Sequence, residues 1–180
     1  KNRMDFTPTA EELVEVMSYH QSREQDPIYS FGQGCEGEPL TESALIIESV
    51  RRFREAGGKG TVNLNTNASM PAEVAKICEA GLSSMRVSMN SSRPESYNLY
   101  YRPVSFPFAE VRQSILPAKA PGVFVFIHLL FFTALNDSAQ ENPRLVHFGS
   151  EPLLASLALR LLSMYPGFHL TFPPPINPCP

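Results

Sequence analysis

A parallel α/β sheet with right-handed crossovers is the fold class this sequence predicts, and three observations lead to it. Short apolar runs alternate with amphipathic helical patterns along the chain. Glycine and proline punctuate the boundaries between them. Polar side chains gather at or just past the carboxyl ends of the apolar runs, which is where barrels and open α/β sheets place their ligands.

The first helix is expected over residues 7–22. Thr7 or Thr9 caps it, Pro8 suits its first turn, and Thr9-Ala10-Glu11-Glu12 spells a capping box. Leu13, Val16, Met17 and His20 supply the expected buried face. Residues 28–32 then read as a short buried strand after Pro27. A second helix runs from Thr41 or Ser43 to about Ala56, with Ile46, Val50 and Phe53 as its apolar stripe and Gly57-Gly58 as its stop. The unit repeats with a strand over 61–66, a loop over 67–70, and a helix from Pro71 to Ala80 ended by Gly81. A strand over 85–89 leads into a loop, a helical turn from Pro94 to Tyr101, and Arg102-Pro103. A helix over about 107–119 follows, and Pro117 is expected to kink it or end it early. The last elements expected are a strand over 123–132, a helix over 151–165 begun by Ser150 and Pro152, and a short strand over about 168–172. The prolines of 173–180 predict an irregular or polyproline-like tail, so one domain over 1–172 and a tail is the expected organisation.

At 180 residues, 43% hydrophobic and 18% charged, the chain is that of a globular protein of ordinary domain size. A net charge of -3, with Lys and Arg scattered, offers no basic surface for nucleic acid. The longest apolar run, 123–135, carries His128 and Thr133 and falls short of the ~20 residues of a membrane helix. No charged-then-apolar leader opens the chain at Lys1, and the cysteines, Cys35, Cys78 and Cys179, form neither a disulfide framework nor a metal spacing. A reducing cytoplasm is the expected compartment. His20, His128, His147 and His169 are equally dispersed and suit ordinary core or surface roles.

The densest chemistry lies in Phe31-Gly32-Gln33-Gly34-Cys35-Glu36-Gly37-Glu38-Pro39-Leu40. Its glycines permit positive φ and close backbone approach, and Glu36 and Glu38 offer carboxylates to a cationic group. The plainer reading is a glycine-rich strand-to-helix turn whose acids are solvated or cap the next helix. Asn65 and Asn67, Ser88 and Asn90, and His128 or Thr133 lie at the ends of the neighbouring strands and converge on the same edge. Tyr97, Tyr100 and Tyr101 offer a pocket wall, although aromatic residues at that spacing more often pack a core.

With these residues in hand, the chain resembles the radical S-adenosylmethionine (radical SAM) superfamily. Glu36-Gly37-Glu38-Pro39 is similar to that superfamily's Gly-Gly-Glu-Pro motif, with Glu36 in place of the first glycine. Thr66-Asn67-Ala68 is similar to its Thr-Asn-Gly, and Gly81-Leu82-Ser83-Ser84-Met85-Arg86-Val87-Ser88-Met89-Asn90 to its Gly-Leu-Asp-x-Val-x-Val-Ser-Leu-Asp run. Arg102, after a pair of tyrosines, stands where such proteins often carry an arginine. The resemblance covers about residues 7–135. It implies a partial (βα)6 TIM-like barrel that binds S-adenosylmethionine across its strand ends. The cofactor contacts it implies are Gln33, Gly34, Glu36, Gly37, Glu38, Pro39, Asn65, Asn67, Ser88, Asn90 and Arg102.

The superfamily also holds a [4Fe-4S] cluster on a Cys-x-x-x-Cys-x-x-Cys loop after its first strand, and reductive cleavage of the cofactor there gives a 5'-deoxyadenosyl radical. This sequence contains no such spacing. The resemblance therefore implies an enzyme core whose first strand and cluster loop are missing before Lys1, inactive as it stands, with no cluster expected in this chain. Its partner is a small-molecule cofactor; the substrate is unspecified, no catalytic or metal-ligating residue is assigned, and neither nucleic acid nor membrane is expected. The strand left at the sheet edge predicts self-association. The alternatives are a degenerate, non-catalytic α/β binding domain and, with a smaller share, an α/β enzyme using Glu36 and Glu38 as acid and base.

Overall fold

The computed structural model describes residues 6–33, 37–119, 122–131 and 156–161. Its elements are α1 (Ala10–Gln21), β1 (Ile28–Phe31), a 3-10 helix (Pro39–Glu42), α2 (Ser43–Glu55), β2 (Thr61–Thr66), α3 (Pro71–Glu79), β3 (Ser84–Met89), α4 (Pro94–Tyr101), α5 (Phe108–Lys119), β4 (Phe124–Phe131) and β5 (Ser156–Leu161). The strands form one sheet in the order β1-β2-β3-β4-β5, and every pair is parallel. Strand order follows chain order without the reversal that marks a doubly wound sheet, so the winding is that of a barrel. The chain is an α/β protein with a partial TIM-like barrel, as expected.

Local chemistry explains most boundaries. Thr9 caps α1: its hydroxyl accepts from the Glu12 N–H at 3.2 Å while the Glu12 carboxylate accepts from the Thr9 N–H at 2.7 Å. Helix α1 buries Ala10 and Met17 and packs Val14 against the core, but Val16 is 66% exposed. The expected face of Leu13, Val16, Met17 and His20 is thus corrected at Val16, which lies about 100° around the helix from Met17. On α2 the expected stripe of Ile46, Val50 and Phe53 is buried.

Two expectations near the carboxyl end are corrected. Of the two outcomes expected at Pro117, the early end does not occur, since α5 continues to Lys119; a proline this close to a helix terminus removes only one of the last backbone bonds. Within the span 151–165 expected as a helix, the described residues form β5, paired in parallel with β4 from Phe126↔Ser156 to Phe131↔Leu161. Ser-Leu-Ala-Leu-Arg-Leu sets leucine at every second position, a strand period that the helix-start signal at Ser150-Glu151-Pro152 obscured. The strand expected over 168–172, the proline-rich tail over 173–180, Thr133, His147 and His169 lie outside the described residues.

The strands divide cleanly into two faces. Tyr29, Val62, Leu64, Met85, Val87, Met89, Val125, Ile127 and Leu129 alternate along four strands and are buried in one core with Val50 and Phe53 of α2 and Val74 and Ile77 of α3. Each such side chain contributes about 1.5–3 kcal/mol through burial. Ser30, Asn63, Asn65, Ser84, Arg86, Ser88 and His128 occupy the alternate positions and give the sheet a polar second face. Tyr97 is fully buried among Tyr101 and Phe108, with ring centroids 4.7 and 4.8 Å away, so it packs a core rather than a pocket wall.

The amino ends of the strands are tied together by Arg54. Its guanidinium donates to the carbonyls of Gly81, Gly58 and Gly60, each at 3.1 Å, and to the Ser83 hydroxyl at 2.9 Å. Ser83 in turn accepts from the Val62 N–H at 3.1 Å. No helix among the described residues is long and apolar enough to cross a membrane.

Candidate functional site

The glycine-rich turn is folded against the end of β2. Gly32 takes φ +76°, and a side chain there would stand 2.3 Å from the Asn65 carbonyl oxygen and 2.9 Å from Pro39 Cγ. Only glycine allows both the left-handed φ and this approach. Gly37 takes φ +113°, with open space where a side chain would stand. Gly34, Cys35 and Glu36 lie outside the described residues.

Glu38 joins two strand ends. One carboxylate oxygen accepts from the Thr66 hydroxyl at 2.5 Å and from the Leu40 N–H at 3.2 Å, and the other accepts from the Asn67 N–H at 2.8 Å. The carboxylate therefore fastens the β1 turn to the end of β2 and caps the 3-10 helix begun by Pro39. Its hydrogen bonds within the chain match a positioning role.

The loop after β2 is shaped by the same hydrogen bonds. The Thr66 hydroxyl accepts from the Ala68 N–H, and the Asn67 side-chain oxygen from the Ser69 N–H, both at 2.9 Å. Ala68 takes φ 56°, a left-handed conformation that glycine adopts without strain. The following Ser114 hydroxyl, from α5, donates to the Ala68 carbonyl at 2.6 Å and anchors the loop from below.

Asn65 is buried and belongs to a network across three strands. The Ser30 hydroxyl accepts from the amides of Asn63 at 2.9 Å, Asn65 at 3.1 Å and Gln33 at 3.0 Å, and Ser84 donates to the Asn63 side-chain oxygen at 2.8 Å. Ser88 stands beside His128 in the β3–β4 register. Asn90, buried past the end of β3, donates to the Ser96 carbonyl at 3.3 Å and so joins β3 to α4. The structure thus brings Gln33, Gly37, Glu38, Pro39, Asn65 and Asn67 together around two adjacent strand ends, with Ser88 and Asn90 at the third. Arg102 is different: it caps α4 in the left-handed conformation and lines a separate cleft of about 390 Å³ with Asn98, Pro103, Phe106 and Pro107. A second cleft of about 510 Å³, lined by Ser69, Met70, Glu73, Phe106 and Glu110 among others, lies on the helical side. Neither cleft includes Glu38, Asn67, Ser88 or Asn90.

Burial sets the ionisation of two further groups, one on α4 and one on α3. The Tyr97 hydroxyl is pushed up to about 12, chiefly by burial and further by the Glu38 carboxylate. Burial, with Glu79 adding to it, pushes the Cys78 thiol up to about 11. That thiol stays protonated at neutral pH inside the core and is unsuited to binding iron. The donor sets therefore answer differently to the two groups the resemblance implies. S-adenosylmethionine fits: Gly37 leaves backbone open to approach, and Asn67, Ser88 and Asn90 supply short polar side chains for hydroxyl and amino groups. A [4Fe-4S] cluster needs several thiolates; among the described residues Cys78 is the one thiol, and no group of three or more ligating side chains occurs there.

The positions missed by attention to strand ends are Ser30, Asn63, Ser84 and Arg86, which lie within the strands. Thr-Val-Asn-Leu-Asn-Thr and Ser-Met-Arg-Val-Ser-Met alternate with period 2, and that spelling assigns all of them to one face.

No family model matches the sequence, and no curated protein does at a significant level. Solved structures do match in fold. Methylornithine synthase (PylB) superposes with a TM-score of 0.61 at 15% identity, over 89% of this chain and 46% of that one. Streptococcus suis SuiB bound to S-adenosylmethionine gives 0.59 at 15% identity, over 92% and 37%. A radical SAM methyltransferase from Sphaerobacter thermophilus gives 0.56 at 15% identity, over 88% and 48%. The chain spans less than half the length of each of these proteins. Most of this chain therefore has the fold of a partial radical SAM-type barrel.

Proposed function

We propose that this chain is the S-adenosylmethionine-binding core of a radical SAM enzyme, with the cofactor lying across the carboxyl ends of β1, β2 and β3. The observation that carries the reading is the convergence of Gly37, Asn67, Ser88 and Asn90 on one edge of a barrel-type sheet, with Glu38 fastening the first two strand ends together. The backbone around Gly37 accepts the cofactor's ammonium, and Asn67, Ser88 and Asn90 hydrogen-bond its ribose. Glu38 holds the turn and the Asn67 loop in place. In an intact parent the cofactor supplies a 5'-deoxyadenosyl radical on reduction by a [4Fe-4S] cluster. The thiolates for that cluster are not spelled in this sequence, so the chain alone binds without catalysing.

Anaerobic reconstitution with iron and sulfide, followed by calorimetric titration with S-adenosylmethionine, tests this reading. The expected result is less than stoichiometric iron and weak, saturable binding. A stoichiometric four-iron cluster would contradict the assignment of its ligands to sequence outside this chain, and complete absence of binding would contradict the cofactor site.

The internal engagement of the Glu38 carboxylate also suits a second reading, a non-catalytic α/β binding domain that keeps the turn only for its structure. In that case the same titration yields no response to S-adenosylmethionine in a folded protein.

A further inference from the structure

Two arginines sit against this sheet, and the fold treats them oppositely. Arg54, at the amino ends of the strands, donates to three carbonyls and a hydroxyl. Arg86, in the middle of β3, has a buried Nε with no hydrogen-bond partner among the described residues. None of the ion pairs described includes it. Its place on the polar face follows from its neighbours: Met85 and Val87 on either side are fully buried in the helix-facing core, so Arg86 projects the other way. In register it lies between Asn65 of β2 and Phe126 of β4.

The surroundings are rich in donors and poor in negative charge. Among the described strand residues of that face, Ser30, Asn63, Asn65, Ser84, Ser88, Phe124, Phe126 and His128 include no carboxylate. Asn63, Asn65 and Ser84 are committed to one another and to Ser30, leaving the guanidinium as the charge that the network does not neutralise. An Nε–H withdrawn from water without an acceptor is costly even where the rest of the side chain is only half-buried, and the planar fork of donors that it belongs to matches a carboxylate or a phosphate. Arg86 also lies two residues below Ser88, about 7 Å deeper along the strand than the edge assigned to the cofactor.

We infer that Arg86 is the anchor of an oxyanion site on the inner face of the barrel, which takes the carboxylate or phosphate of a small-molecule substrate lying beneath the cofactor. The anion site stands on Arg86 alone, and its assignment to a substrate rests on the cofactor reading above.

Side-chain N–H correlation spectra of the 15N-labelled chain test it, with inorganic phosphate and acetate titrated separately while chloride holds ionic strength constant. The expected result is a saturable shift of the Arg86 Nε–H signal with an unmoved Arg54 Nε–H signal, and the tighter of the two probes identifies the anion class. Arg86→Gln should abolish the response and Arg86→Lys, which keeps the charge but not the fork, should weaken it about tenfold or more. The wild-type titration decides the matter even if a variant does not fold. No saturable shift, or equal drift of all arginine signals, would overturn the site. S-adenosylmethionine added as a third probe separates the two readings. If it moves the Ser88 and Asn90 amides and leaves Arg86 free to bind the anion, both stand. If it competes with the anion at Arg86, that residue belongs to the cofactor and the substrate assignment falls. If it moves nothing while the anion still binds, the cofactor reading falls and the oxyanion site remains.

Discussion

Glu38 shows how much a single side chain can do for a strand end. Its carboxylate accepts from a hydroxyl and two backbone N–H groups drawn from the turn after β1 and the loop after β2. Charge-assisted bonds of this kind contribute about 1.5–3 kcal/mol each and are not additive. Glu38→Ala should lower unfolding stability by about 2–4 kcal/mol in urea titration; a loss below about 0.5 kcal/mol would place those donors in water instead. Tyr97 gives the opposite case, a buried hydroxyl without a hydrogen-bond partner among the described residues. Its folded-state value near 12 lies above the ~10 of an unfolded tyrosine. The unfolded chain therefore loses this proton first, and the associated stability, fully present below pH ~10, is lost as pH rises toward 12. Urea unfolding at pH 8 and pH 11 should show a smaller alkaline loss for Tyr97→Phe than for the wild type, with unchanged or higher stability at pH 8. An equal alkaline loss in both proteins would assign the effect to other groups.

At the scale of the elements, what could be read in advance was what local chemistry spells out. The capping box at Thr9, the stripe of Ile46, Val50 and Phe53, and Gly81 after α3 each state a boundary or a face in a few residues, and the structure keeps them. The segment of β5 reads as helix from the sequence because proline at a helix-start position and three leucines suit a helix by propensity, whereas pairing with β4 decides for the strand. Val16 stands beside Met17, and an adjacent apolar pair does not declare which member faces the core. The candidate site was legible where polar residues end a strand, as at Asn65, Asn67, Ser88 and Asn90. The three-strand network of Ser30, Asn63 and Ser84 was not, because it depends on register: Ser30 faces Asn63, and Asn63 faces Ser84, only once the strands are aligned. The left-handed Ala68 belongs with these, since alanine gives no hint of positive φ; its place in Thr66-Asn67-Ala68, where the similar motif has glycine, was the available signal.

For the whole molecule, the arrangement separates support from chemistry. The helix-facing side of the sheet is continuous apolar packing, the amino ends are fastened by Arg54, and the carboxyl ends carry the short polar side chains. Such a division lets the ligand edge vary while the core holds its position. The fold similarity to S-adenosylmethionine-bound SuiB at 15% identity fits that division, since packing can keep a barrel while little of the sequence is kept. The proposed function places the cofactor on the edge formed by β1, β2 and β3. Backbone amide mapping of the 15N-labelled chain during titration with S-adenosylmethionine tests it most directly. Saturable shifts are expected at Gly37, Asn67, Ser88 and Asn90, with the amides of Gly58, Gly60 and Gly81 at the opposite end unmoved. Shifts confined to the outer helices, or none at that edge, would contradict it.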